Sequence, residues 1–154
     1  LGFIKKGETW QSTLDALLKI KQAGIASSVM ILNGMGGVAY SEQHARNSAL
    51  LMNEAQPEFL STLIVSYPLG DQRVVEGFDG NYQLPSQHDL FVELRLLIET
   101  LELNNTVFRS DHASNYLPLK GTLGQDKATL LAQLDAAIHT PDRIRLRQEW
   151  QRGL

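Results

Sequence analysis

An α/β fold assembled from parallel βα units is predicted by three features of this 154-residue sequence. Apolar, strand-like runs alternate with amphipathic helical stretches. The two clearest runs are apolar nearly throughout and rich in β-branched and aliphatic residues. Each ends in a loop containing glycine or proline that leads on toward a helix. Strands separated by single helices join through right-handed crossovers, which makes their sheet parallel. Doubly wound and barrel-like sheets both satisfy this pattern. In either, binding groups gather on loops at the carboxyl ends of the strands.

The first helix is predicted over about residues 9–23, where Trp10, Leu14, Leu17 and Leu18 recur at three- and four-residue spacing and Gly24 supplies a stop. Residues 25–32 (IASSVMIL) form the first strand, which ends in Asn33-Gly34-Met35-Gly36-Gly37. Ser41 opens a second helix that runs to about Ala55, and Pro57 ends it. Residues 60–67 (LSTLIVSY) are the second strand, stopped by Pro68 and Gly70, and a long loop is expected over residues 71–85. Ser86 with Asp89 resembles an N-terminal cap for the helix LFVELRLLIETL. A short third strand is expected at residues 106–109, an irregular stretch at 110–124, and helices at about 126–139 and 143–152. Helices are expected to cover one face of the sheet while a core fills the other. The three loops after the strands, residues 33–40, 68–85 and 110–124, are then brought to one edge.

Composition limits the partners. The chain is 43% hydrophobic and 20% charged with net charge -3, so no basic excess points to nucleic acid or an anionic membrane surface. Its apolar runs are far shorter than a membrane span. With no cysteine, disulfides, thiolate metal sites and iron–sulfur ligation by this chain are excluded. The missing initiator methionine and the unbroken pattern at Leu1 suggest a fragment.

Two segments carry candidate chemistry. The turn Gly34, Met35, Gly36, Gly37 lies between a strand and a helix. There, glycines either let backbone amides approach a ligand or simply serve a tight turn. It is not a dinucleotide fingerprint, since the third glycine is wrongly spaced. Ser110-Asp111-His112-Ala113-Ser114-Asn115-Tyr116 is dense in polar groups. It suits either a polar substrate and proton relay or a loop bonded to itself. The histidines, His44, His88, His112 and His139, show no HxxxH or HxH spacing, so no histidine metal site is expected. Glu42, Glu93, Glu99 and Asp135 are assigned to solvated helix faces, and Trp10 and Trp150 to packing.

Several of these features together resemble a known family. Residues 1–60 are similar to the later half of radical S-adenosylmethionine (SAM) enzymes. The shared features are a helix leading through Ala23-Gly24-Ile25 into an apolar strand, the glycine-rich turn, and the helix start Ser41-Glu42-Gln43-His44-Ala45. Asn53-Glu54-Ala55-Gln56-Pro57 then enters the next strand. Residues 110–138 and the tail RQEWQRGL resemble an uncharacterised branch of that superfamily, labelled Fe–S oxidoreductase or coproporphyrinogen oxidase-like. The resemblance implies the C-terminal part of a partial TIM-like (β/α)6 barrel over residues 1–125, with a C-terminal helical extension at 126–154.

It also implies SAM and a [4Fe–4S] cluster in the full-length protein, held by a CxxxCxxC loop that this chain lacks. SAM would be cleaved to a 5′-deoxyadenosyl radical that abstracts a substrate hydrogen. The resemblance further implies SAM contact at Gly34, Met35, Gly36 and Gly37, with His112 and Asn115 as substrate-side candidates. Tyr67-Pro68-Leu69-Gly70 departs from the Pro-Gly-Thr common after the next strand of that family. The catalytic residues and substrate are not identified by it. The expected partners are the N-terminal remainder of the barrel and an unknown small molecule, in the cytoplasm, with self-association of the fragment. Alternatives are a stand-alone nucleotide- or phosphate-binding module and a structural interaction domain.

Overall fold

The computed structural model describes residues 2 and 6–152. The chain start at Leu1 and the last two residues of the tail motif, Gly153 and Leu154, lie outside the described residues. The element order is α1 (Trp10–Gln22), β1 (Ser28–Asn33), α2 (Ser41–Ala55), β2 (Phe59–Ile64), α3 (Gln72–Gly77), α4 (Gln87–Thr100), β3 (Thr106–Ser110), β4 (Leu119–Leu123) and α5 (Lys127–His139). Two 3-10 turns follow, at Pro141–Arg143 and Glu149–Gln151.

The four strands form one open sheet in the order β1-β2-β3-β4. β1, β2 and β3 are parallel, as the helical connections require, and β4 returns antiparallel to β3. Mixed α/β architecture with parallel βα units is therefore present, in an open sheet.

Alternation along the strands shows where the core lies. Ile31, Leu60, Phe108, Leu119 and Leu123 point to one face and pack with Ala45, Ala49 and Met52 of α2, Phe91, Leu94, Leu97 and Ile98 of α4, and Leu130 and Leu134 of α5. α2 is built for that contact: its buried positions Ala45, Ala49 and Met52 recur every three to four residues, and two are small. The other face is bare. Met30 is 67% exposed and Phe59 46%, although both belong to strands. The expectation that both faces are covered is not met, because α2, α4 and α5 pack on the same side.

Several boundaries and elements differ from expectation. Ile25 is exposed and precedes β1, which begins three residues later. The loop at 71–85 contains α3, which buries none of its residues and so carries no apolar periodicity. The irregular stretch at 110–124 contains β4, whose Gly121 weakens any strand signal. That glycine is needed because a Cβ there would sit 3.0 Å from Asp126 Cβ at the start of α5. In place of a helix at 143–152 there is extended chain ending in a 3-10 turn, and Trp150 projects outward at 82% exposure instead of packing. Among the described residues no helix is long and apolar enough to cross a membrane.

Candidate functional site

The carboxyl ends of β1, β2 and β3 meet at one edge, and three connections gather there. After β1, the turn of residues 34–37 is held from both sides. The Gly34 amide donates to Glu93 Oε1 at 2.8 Å, and the Tyr82 hydroxyl donates to the Gly34 carbonyl at 3.2 Å. The Val38 amide donates to the Gln83 carbonyl at 3.0 Å. Asn33, buried at the end of β1, donates through Nδ2 to the Leu90 carbonyl at 3.0 Å. α4 and the segment before it therefore grip the turn along its length.

Glu93 is the centre of this arrangement. It is 2% exposed, against the expectation of a solvated helix position. Its carboxyl group also receives Ser41 Oγ at 2.7 Å and lies 3.0 Å from His44 Nδ1. A buried carboxyl group persists only when its lone pairs are satisfied, and here three groups from the turn and the first helical turn of α2 do so. His44, on the first turn of α2, is a partner of that carboxyl. The Tyr67 and Tyr82 hydroxyls lie 3.0 Å apart. Burial pushes the Tyr82 hydroxyl far above its ordinary range, so it remains a donor to Gly34.

The glycines of the turn are buried, and Met35 is half-buried. Gly34 and Gly37 have φ of 88° and 61°, the left-handed region. Gly36 is required for another reason: a Cβ there would stand 2.8 Å from the Tyr40 carbonyl oxygen. Around Gly34 and Gly37 the same space is filled by Leu90, Val65, Tyr82 and the Gln83 carbonyl. Protein packing thus accounts for all three glycines. One group is left over: the buried Gly36 amide has no hydrogen-bond acceptor among the described residues.

After β3, the loop 110–116 is tied to the end of β2. Thr62 Oγ1 donates to Ser110 Oγ at 2.7 Å, Asn115 Nδ2 to the Thr62 carbonyl at 2.8 Å, and the Ile64 amide to Ser114 Oγ at 3.2 Å. His112 Nδ1 accepts from the Ser114 amide at 3.1 Å and lies 2.9 Å from Ser114 Oγ. Nδ1 is therefore the unprotonated nitrogen, and neutral His112 carries its proton on Nε2. Asn115 is buried with its amide committed to the sheet, whereas His112 is exposed. Ser114 is buried as well, which removes it as a nucleophile beside His112.

The chain's last segment also holds that loop, through its backbone. Arg147 Nη1 donates to the carbonyls of His112 (2.7 Å) and Asn115 (3.0 Å), and Arg152 Nε to the Ser114 carbonyl (2.8 Å). The loop exposes carbonyls, and two arginines far along the chain cap them. Neither arginine belongs to an apolar period, and the tail RQEWQRGL that contains both gave them no role, so sequence reasoning missed their contacts, as it missed Tyr82 and the burial of Glu93.

The structure thus brings Gly34, Met35, Gly36 and Gly37 to the same sheet edge as His112 and Asn115, at the ends of β1 and β3 with β2 between them. Among the described residues no group of three or more histidine, cysteine, aspartate or glutamate side chains is placed to hold a metal. No protein-family profile matches the chain, and neither a curated protein nor a solved structure is similar to it.

Proposed function

We propose that this chain is the C-terminal part of a radical SAM Fe–S oxidoreductase, in which it supplies walls and positioning. The observation that carries this reading is the order of motifs at the sheet edge. The glycine-rich turn follows a parallel strand, Ser41 opens the next helix, and Asn53 to Pro57 lead into the adjacent parallel strand. A second feature agrees: among the described residues the sheet ends at β1 with a free edge and a bare apolar face, as expected of a sheet continued by further strands.

Fit to the two cofactors differs. Without cysteine, these residues do not fit a [4Fe–4S] cluster, so its ligands would belong to another part of the protein. For SAM, the unpaired Gly36 amide is a suitable donor to an adenosine acceptor, with Met35 as the half-buried neighbour. SAM would supply the 5′-deoxyadenosyl radical chemistry. This chain's part is to hold the donor in place. Glu93 and Tyr82 grip Gly34, two residues before that amide. His112 Nε2–H, exposed beside the end of β2, is the group free to meet a substrate. The reading carries with it a cytoplasmic location and a small-molecule substrate.

The test is anaerobic turnover. The protein carrying its upstream portion, reconstituted with iron and sulfide and given SAM and reductant, is expected to form 5′-deoxyadenosine. The 154-residue chain treated identically is expected to form none. A cluster on this chain alone, or no SAM cleavage by the longer protein, overturns the reading.

A further inference from the structure

A cavity of about 260 Å³ opens at the carboxyl end of β2. Ile64, Val65, Leu84 and Leu90 give it apolar walls, and the Tyr116 ring borders it. Its volume falls just below the usual range of about 300–1,000 Å³ for sites that take drug-sized molecules, which suits a small ligand.

One cation lines it. The Arg152 side chain is 5% exposed and is held in place from three directions. Its guanidinium carbon lies 4.0 Å from the Tyr116 ring centroid. Nε donates to the Ser114 carbonyl at 2.8 Å, and Nη1 donates to the Tyr116 hydroxyl and to Glu149 Oε1, each at 2.6 Å. Nη2 makes no hydrogen bond among the described residues. No buried side-chain nitrogen or oxygen among them lacks a partner, so Nη2 is reached by solvent. A guanidinium immobilised by stacking, on a residue that lines an apolar cavity and with one nitrogen free of protein partners, is suited to a carboxylate.

The other charged group on the wall is Glu149, 69% exposed and paired with Arg152. The pair is neutral as it stands, so an entering carboxylate must displace Glu149, whose exposed side chain can turn into water. A dianionic phosphate would meet Glu149 without a second cation to balance it.

We propose that this cavity binds a small monocarboxylate with an apolar body. The body lies against Ile64, Val65 and Leu90, the carboxylate sits on Arg152 Nη2, and Glu149 is the internal competitor for the guanidinium. The proposal rests on the cavity and stands apart from the radical SAM reading.

The test uses phenylacetate, titrated into the 154-residue chain and followed by amide chemical shifts. Saturable binding is expected, with shifts confined to residues 64–67, 116 and 149–152. Phenylacetamide, which keeps the shape and lacks the charge, is expected to bind at least about tenfold more weakly. Phenyl phosphate is expected to bind no more tightly than phenylacetate. Arg152→Met should abolish binding, but it also removes the contacts that hold the C-terminal segment. Glu149→Gln is therefore the deciding variant: its carboxylate is exposed, and its loss should tighten phenylacetate binding several-fold. Equal binding of phenylacetate and phenylacetamide, no gain in Glu149→Gln, or no saturable binding of phenylacetate overturns the proposal.

Discussion

Three groups converge on the Glu93 carboxyl, and two of them, the Gly34 amide and the Ser41 hydroxyl, are donors with no other acceptor among the described residues. Removing the carboxyl strands them. In Glu93→Leu two donors lose their acceptor, and at about 1–3 kcal/mol for each buried group left unsatisfied the loss should be roughly 2–5 kcal/mol. Glu93→Gln keeps a carbonyl oxygen for Gly34 and His44, and its amide can donate to Ser41 Oγ. Its loss should be smaller, about 1–2 kcal/mol. Urea unfolding of the two variants checks the order; equal losses would mean that volume, and not hydrogen bonding, governs the site. None of this was legible in the sequence. A glutamate within a helical pattern reads as solvated, and only the packing of α4 beneath the turn after β1 reverses that assignment. The turn itself was legible as a turn. Its glycines were not assignable to their causes, since Gly36 is required by the carbonyl of Tyr40, four residues on, and not by its own φ.

Elements whose ends are chemically marked were read most accurately. Ser86 and Asp89 form the expected reciprocal cap of α4: the Asp89 amide donates to Ser86 Oγ at 3.2 Å, and Asp89 Oδ2 accepts from the Ser86 amide at 2.9 Å. Hydrogen bonds from the Ser86 hydroxyl and amide hold the Asp89 carboxyl below its ordinary value. A carboxyl depressed on folding contributes stability above its unfolded pKa of about 3.9, and that contribution disappears as pH falls through the folded value. Asp89→Asn should therefore cost about 1 kcal/mol at pH 7, in the usual range for a helix cap. The difference from the parent protein should shrink as pH is lowered past about 4, because the parent's own carboxylate is then protonated. Thermal melts at pH 7 and pH 3 measure this; a constant difference at both would refute it. Elements without such marks were missed. α3 buries nothing, β4 exists through its pairing with β3, and the segment after Pro141 is positioned by Ile144 and Leu146 against the core and by Arg147 and Arg152 on loop carbonyls, without a helical period.

The whole molecule presents an imbalance that its parts do not. Parallel strands normally lie between two covering layers, and here one layer is missing. The bare face carries Met30, Leu32 and Phe59 on the two neighbouring strands β1 and β2, beside the free edge of β1. The βα alternation foretold apolar strands but could not tell a covered face from a bare one, since both read as continuous apolar runs. A contiguous apolar surface next to an unpaired strand edge drives association. The 154-residue chain should therefore sediment as dimers or larger species at micromolar concentration. Replacing Met30 and Phe59 together by lysine should shift it to monomer. Because those side chains point away from the core, the double variant should keep its unfolding midpoint within about 0.5 kcal/mol of the parent, the usual range for surface changes. A parent chain that is monomeric at all concentrations would remove the association. A double variant that unfolds would instead show that the face is covered from within the chain.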